Sequence, residues 1–491
     1  MPVRTSIPEL AFPPRKSREP AYRWLYGALR GAILGRRLLP GSRLPATREL
    51  ARQYALARGT VVTAFEQLKS EGYVEGTMGS GTYVSRVLPE QWLEVSSGKV
   101  THRRQRGARK PELSAYARRM RAFPGFEDRP IHAFRSNLPA LDLFPIELWT
   151  KIANRVLRRA PVRLWLGCDA LGHFPLRKAI AEYLTASRGV NCDAAQVAIV
   201  SGVQEALDMA ARLLLDPGDR VCMESPGYIG AQLVFRAHGA EICGVGVDDE
   251  GVRAQPLPAR GVKLMYVTPG HQFPLCTTMS LARRMALLEW ARRSGAVIFE
   301  DDYDGEFRYS GRPLPAMQGL GAAGLVLYAG SFSKVMFPAL RLGYLVLPED
   351  WVERAGAVKS ISTRHCPVFE QAVLAEFIAD GHFARHLRRM REVYAERLGV
   401  LLEEGQRELR GLLELSEVEA GLQTIGWLRR ITSDVAAEAA RARGVDVTAL
   451  AGPGTRGVHA LQLGFAAVRP AEIRRGVREL RVALESARKP M

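Results

Sequence analysis

Ser331-Phe332-Ser333-Lys334-Val335-Met336-Phe337-Pro338-Ala339-Leu340-Arg341 sets one lysine behind two hydroxyls, with an arginine seven residues further on. An amine condenses with an aldehyde, and hydroxyl and guanidinium donors bind a phosphate. The set therefore suits an aldehyde cofactor that carries a phosphate. Upstream, Glu300-Asp301-Asp302-Tyr303-Asp304 offers carboxylates just after an apolar run, where one of them is able to pair with a protonated pyridine nitrogen and keep the ring an electron sink. Glu224-Ser225-Pro226-Gly227-Tyr228 brings an aromatic ring to another strand end, and Ser201-Gly202-Val203-Gln204-Glu205 is a tight turn opening an amphipathic helix, whose free N–H groups favour a phosphate. Each part is ordinary alone. A Ser-Gly turn caps many helices, a lone tyrosine at a strand end is more often structural, and clustered carboxylates also hold metals, although no histidine flanks these closely. The succession of phosphate turn, stacking tyrosine, carboxylate and lysine points to pyridoxal phosphate bound on Lys334.

These residues need strands to position them. Val197-Ala198-Ile199-Val200, Val221-Cys222-Met223, Leu264-Met265-Tyr266-Val267, Val297-Ile298-Phe299 and Leu325-Val326-Leu327-Tyr328 are short apolar runs separated by helical stretches. That alternation predicts an α/β domain with a largely parallel sheet and ligands at the carboxyl ends of its strands. At 491 residues the chain is too long for one core and implies two or three domains. No apolar run approaches the ~18 residues of a membrane span. The opening Met1-Pro2-Val3-Arg4-Thr5 has no apolar leader, so a cytoplasmic, nucleoid-associated location is expected. The six cysteines never form a C-x-x-C pair and read as reduced thiols, with no metal site implied.

Charge is unevenly placed. Residues 1–130 carry 24 Lys/Arg against 11 Asp/Glu, while the remaining 361 carry 45 against 40. A surplus concentrated in one quarter of the chain suits a polyanion, although a solvated basic surface would look the same. Tyr22, Leu25, Leu29 and Ile33 mark one helical face. A short second helix is expected near Pro45, with Glu49 placed for a capping box and Thr47 substituting for a cap at Ala46. A third helix, from Gly59 to Ser70, is expected to bury Val62, Phe65 and Leu68 and to present Arg58, Thr60, Thr63 and Gln67. Gly72 to Val84 then reads as two strands around a glycine-rich tip. Helix, short helix, turn, helix and hairpin make a winged helix-turn-helix, whose third helix enters the major groove. A helical protein-interaction module is the alternative.

Leu44-Pro45-Ala46-Thr47-Arg48-Glu49-Leu50-Ala51, Arg58-Gly59-Thr60-Val61-Val62 and the Gly-Ser-Gly-Thr-Tyr-Val wing resemble the GntR family over residues 20–85. The resemblance implies DNA contacts from Arg43, Thr47, Arg48, Arg58, Thr60, Thr63 and the wing residues Gly79 and Ser80. Between Lys99 and Arg121 there are nine basic residues against the single acid Glu112, a composition that buries too little apolar surface to fold alone. The expected organisation is a winged helix over 1–85, a basic flexible linker over 86–130, and a cofactor domain over 131–491 whose small subdomain spans about 350–491. Tyr116 to Met120 has the makings of a short helix within the linker.

Nearly the whole chain resembles the MocR/GabR group, which joins a GntR winged helix to a fold-type I aminotransferase-like domain. The resemblance implies Lys334 as the Schiff-base lysine, Asp301 as partner of the pyridine nitrogen, Tyr303 at the ring's phenolic oxygen and Tyr228 stacked on its face. Asp302 is the alternative to Asp301. Ser201, Gly202, Val203, Ser331, Ser333 and Arg341 would cradle the phosphate, and His271 and Gln272 belong to a His-Gln-x-Pro loop beside the cofactor.

The departures are informative. Where aminotransferases open a late strand with a carboxylate-binding arginine, this chain has Gln462, which offers a neutral hydrogen bond in place of a bidentate ion pair. Gly230 supplies no second anion-binding side chain, and Leu275-Cys276 replaces the group's usual Thr-Gly. Arg364, Arg456 and His459 are candidates to compensate. The expected function is a homodimeric regulator of operator DNA that senses a small amine, an amino acid or the cofactor itself, rather than a turnover enzyme. A working aminotransferase with an appended DNA module is the second reading, and a scaffold that no longer binds cofactor the third.

Overall fold

The computed structural model describes residues 12–15, 19–77, 81–88, 112–123, 130–311, 314–321, 324–450 and 457–488. The chain divides into two compact units, Met1–Pro111 and Glu112–Met491.

In the first unit, helix α1 (Ala21–Leu34) packs on α3 (Arg58–Ser70), with the short α2 (Thr47–Gln53) between them in sequence. Strands β1 (Val74–Thr77) and β2 (Gly81–Val84) form an antiparallel hairpin. Leu25, Leu29 and Ile33 meet Leu50, Val61, Phe65, Leu68, Val74 and Val84 in one apolar core. The buried face of α3 runs through Val61 and Ala64 rather than the expected Val62, which is only half-buried. The reason is helical phase, since 61, 64, 65 and 68 share a face with its i+3 and i+4 neighbours. Thr47 does not cap α2. It is the first helical residue, and Ala46 stands at the cap without a side-chain bond.

The second unit is built on an eight-stranded sheet. In chain order its strands are β3 (Val197–Val200), β4 (Arg220–Ser225), β5 (Glu241–Asp248), β6 (Gly251–Val252), β7 (Val262–Val267), β8 (Val297–Asp302), β9 (Val326–Ser331) and β10 (Gly343–Val346). Across the sheet the order is β3-β10-β9-β8-β7-β4-β5-β6. Strands β9, β8, β7, β4 and β5 run parallel, while β10 is antiparallel to both β9 and β3. The carboxyl ends of β3, β4, β7, β8 and β9 therefore lie along one edge. Helices cover both faces, which is why the central strands are continuous apolar runs without alternation. On one face Leu207, Ala210, Phe235 and Ala355 pack on Val200, Leu264, Phe299 and Leu327.

A second, antiparallel sheet of order β11-β12-β14-β13 follows, from Leu413–Leu415, Gln423–Leu428, Thr448–Ala449 and Ala460–Gly464. It is backed by the helices His382–Glu408, Ser433–Ala442 and Pro470–Arg488. This α+β subdomain and the large sheet share one core cluster. Among the described residues no helix is long and apolar enough to cross a membrane.

Candidate functional site

A cavity of about 360 Å³ opens at the carboxyl edge of the large sheet. Lys334 reaches it from the short helix Phe332–Val335, which follows β9 directly. Its Nζ donates to the backbone carbonyl of Asn137, 2.8 Å away. Burial pulls the Lys334 ammonium down to about 8, against the opposing pull of Asp304 and Asp301. An amine held there is neutral, and so nucleophilic, far more often than an ordinary lysine.

At one end of the cavity lie Gly202 and Val203, the cap and first residue of helix Val203–Leu214. Gly202 has a φ of 122°, and a Cβ there would stand 3.3 Å from Arg341 Nη2. The glycine thus leaves the space beside the guanidinium open. Arg341 itself is held in the left-handed region at φ 50°. Ser331 and Ser333 line the same end, with the Ser331 hydroxyl accepting from the Ser333 N–H at 3.2 Å. Free helix N–H groups, hydroxyls and a guanidinium together make an anion site. Ser201 does not line the cavity. Its N–H donates to Glu205 Oε2 at 2.6 Å, and Glu205 also accepts from Lys359 Nζ at 2.5 Å and from Thr363 at 2.8 Å. Burial works against the Glu205 carboxylate, yet Lys359 and these donors hold it below its usual range.

At the other end stands Asp301, the penultimate residue of β8. Its Oδ2 accepts from Tyr266 at 2.7 Å, while its buried Oδ1 has no partner among the described residues. Burial pushes this carboxyl up to about 7, with Asp302 and Asp304 adding to the shift and Tyr266 opposing it. A protonated ring nitrogen would supply the missing donor and the missing positive charge, so the residues fit a pyridine cofactor. Asp302 is committed elsewhere, accepting from Arg188 and, at 2.6 Å, from Tyr328. Tyr228 lines the cavity between these ends, and Gln204 Nε2 donates to its hydroxyl at 2.9 Å. Gly230 leaves that pair room, because a Cβ there would collide with both.

Tyr303 also lines the cavity, and His271 backs it from outside. His271 Nδ1 lies 3.1 Å from the Tyr303 hydroxyl and 2.9 Å from Asp304 Oδ2. Burial lowers the pKa of the imidazole, but the Asp304 charge outweighs it and raises it well above its ordinary value. Gln272 is away from the cavity wall. Its amide ties loops together, donating to the Pro226 and Phe273 carbonyls at 2.9 and 2.7 Å and accepting from the Leu275 N–H at 2.9 Å.

Sequence reasoning missed Asn137, Gln204, Tyr266, Phe273, Pro338 and Phe123 as lining residues. Gln204 was findable as the next residue of the phosphate turn. Asn137 and Phe123 lie far upstream in sequence, with no motif to mark them. Gln462 is buried on Ala460–Gly464 with its Nε2 unpartnered among the described residues, as is that of Gln423, whose Oε1 accepts from the Asn137 N–H at 3.1 Å. Arg364 and His459 are exposed and do not line the cavity; Arg456 lies outside the described residues.

In the first unit Arg48, Arg58 and Thr63 are exposed and Thr60 half-buried, on or beside the exposed faces of α2 and α3. Thr63 donates to the Gly59 carbonyl at 3.0 Å. The cap of α3, Ala57, makes no side-chain bond, so the first N–H groups of that helix remain open to a phosphate. Arg43 is exposed and bridges to Tyr83, and its guanidinium lies over Gly81. Thr47 is half-buried at the start of α2. Gly79 and Ser80 lie outside the described residues.

Residues 142–480 match the family Aminotransferase class I and II, and residues 21–84 match the bacterial regulatory proteins of the gntR family. The chain is 39% identical over 481 residues to the probable rhizopine catabolism regulatory protein MocR of Rhizobium meliloti, with 95% of each chain covered. It is 34% identical over 379 residues to the HTH-type transcriptional regulator TauR of Rhodobacter capsulatus, covering 75% of this chain and 76% of that one. The crystal structure of Pyrococcus horikoshii kynurenine aminotransferase in complex with PMP matches with a TM-score of 0.70 and 27% identity, over 77% of this chain and 98% of that one. A gntR-type winged helix followed by a class I/II aminotransferase fold, shared with a regulator along nearly its full length, makes this chain a member of the MocR/GabR group of GntR-family transcriptional regulators.

Proposed function

We propose that the chain regulates transcription as a homodimer on operator DNA, with pyridoxal phosphate held on Lys334 and a small amine, an amino acid or the cofactor itself as the signal. The observation that carries the cofactor assignment is the buried, unpartnered Asp301 Oδ1, in the same cavity as a buried amine. When bound, the cofactor supplies an aldehyde that condenses reversibly with amines. Around it, Lys334 provides the protein's amine, Asp301 would hold the ring nitrogen protonated, and Tyr303, backed by His271, would donate to the ring oxygen. Gly202, Val203, Ser331, Ser333 and Arg341 would bind the phosphate. Arg48, Arg58 and Thr60 would read base edges, with Arg43, Thr47, Thr63 and the wing at Gly79 and Ser80 alongside.

Gln462 supports sensing over turnover. A neutral amide holds an α-carboxylate more weakly than the arginine it replaces, and tight orientation of the substrate is what fast transamination needs. The dimer is supported by the exposed apolar side chains Val162, Trp165 and Leu166 on the short helix Val162–Leu166, of which Leu166 is 84% exposed. The test is cofactor loading of the purified chain with the visible absorbance and Lys334 labelling followed together. Attachment to Lys334 with an amine-dependent shift in DNA binding is expected. Steady amino-group transfer at enzyme-like rates, with DNA binding indifferent to ligand, would overturn the proposal.

A further inference from the structure

One wall of the cofactor cavity comes from ahead of the aminotransferase-like fold. Phe123 lines the cavity together with Lys334 and Tyr228, and its ring meets Tyr228 edge-on at a centroid distance of 6.2 Å. It ends a described segment, residues 112–123, that is continuous in sequence with the basic stretch leading back to the winged helix.

This segment is anchored to the second unit. Ser114 caps a short helix, Ala115–Arg119, by accepting from the Ala117 N–H at 3.1 Å. Arg119 Nε donates to the Ala237 carbonyl at 3.1 Å, and its guanidinium lies over Gly239. Tyr116 packs edge-on against His238 at 5.1 Å, and His238 Nε2 bonds Asp208 Oδ1 at 2.8 Å. The anchor points have a common origin. Ala237 ends the helix Ile229–Ala237, whose cap is Tyr228. Asp208 sits on Val203–Leu214, whose cap is Gly202. The two helices that begin in the cavity thus hold the linker further along their length. Phe123 is nevertheless 47% exposed, so a ligand filling the cavity would give its ring apolar surface to cover.

We propose that residues 112–123 form a ligand-sensitive strap, in which Phe123 senses occupancy of the cavity and Tyr116 and Arg119 hold the segment that leads to the DNA-binding unit. This rests on the reading of the cavity as the pyridoxal phosphate site. A strap that docks better on the filled cavity must, by reciprocity, tighten the ligand by the same factor, and the firmness of its docking alters how the winged helix is tethered.

Trypsin tests this on the full-length chain, because Arg118 and Arg121 are exposed on the strap. Stripped protein is digested briefly with and without added pyridoxal phosphate, and mass spectrometry follows cleavage after Arg121 relative to cleavage in 99–110. The cofactor is expected to slow the Arg121 cut by about tenfold, a typical coupling between linked sites. Phe123→Ala is expected to abolish that protection. Tyr116→Ala/Arg119→Ala, whose residues stand outside the cavity, is expected to abolish it too while the cofactor still attaches to Lys334. Attachment in the wild-type chain with an unchanged Arg121 cut would overturn the strap and leave the cofactor assignment standing. Failure of the cofactor to attach at all would overturn both.

Discussion

Replacing Asp301 by Asn separates what the buried carboxylate costs the fold from what it does for the ligand. Among the described residues the Tyr266 hydroxyl is its one donor, and burial raises its carboxyl to about 7. The folded state therefore binds a proton more tightly than the unfolded chain between pH ~4 and ~7, so rising pH across that window removes stability. Moving a carboxyl from near 4 up to about 7 is worth about 4 kcal/mol, an upper bound because water enters an open cavity. An asparagine keeps the shape and still accepts from Tyr266, but it has no charge to bury. The ligand-free Asp301→Asn chain is thus expected to equal the wild type near pH 4.5 and to exceed it by about 2–4 kcal/mol at pH 8. Glu224, Glu300 and Glu306 are also raised to about 7, so the wild-type curve alone mixes several groups, and the diagnostic is the difference curve between the two proteins. Urea unfolding of both at four or five pH values measures it. The same variant should hold pyridoxal phosphate about tenfold or more weakly, having lost the partner of the ring nitrogen. A difference that is flat with pH, or a variant less stable at pH 8, would refute the assignment of Asp301 as a strained, preorganised carboxylate.

Lys359→Met should cost up to about 3 kcal/mol by leaving the half-buried Glu205 without its cation, and Glu205→Gln in the same chain should restore most of it; a double-mutant cycle on unfolding reads this. Lys334, pulled down to about 8 by burial, is neutral in roughly one molecule in ten at pH 7, so cofactor capture should quicken about tenfold per pH unit and level off above pH ~8. Stopped-flow absorbance follows the capture, and a rate still climbing at pH 10 would contradict the shift. Arg58→Ala, at an exposed and uncapped helix start, should weaken specific DNA binding by about 1–3 kcal/mol with the cofactor absorbance unchanged, as measured by fluorescence anisotropy.

The parts of the fold that were legible in sequence are those whose signal is local. The apolar runs ending near Val200, Met223, Val267, Phe299 and Tyr328 became five strands of one sheet, because a strand buried on both faces needs no alternation. Strand β10 was not legible. Gly343–Val346 is four residues long and follows Arg341 at once, and its antiparallel place between β9 and β3 is a tertiary fact. Val62 was expected in place of Val61, because both stand one helical turn before Phe65, at four and three residues, and only packing on α1 decides the phase. In the site, the residues after each strand were visible, whereas Asn137 and Phe123 were not: the contacts that bring them in span 197 residues to Lys334 and more than 100 to Tyr228. Gln272 illustrates the converse. Its loop was visible, but only its hydrogen bonds to Pro226, Phe273 and Leu275 reveal what the side chain does.

The central claim is that chemistry at Lys334 is read out as DNA binding. The direct measurement selects operator fragments from the source genome with the full-length chain, then titrates them against wild type and Lys334→Ala with and without pyridoxal phosphate and a panel of amines. Cofactor or one amine class is expected to shift wild-type affinity by about tenfold and to leave Lys334→Ala unmoved. Equal DNA affinities in every state of a cofactor-loaded protein would contradict it.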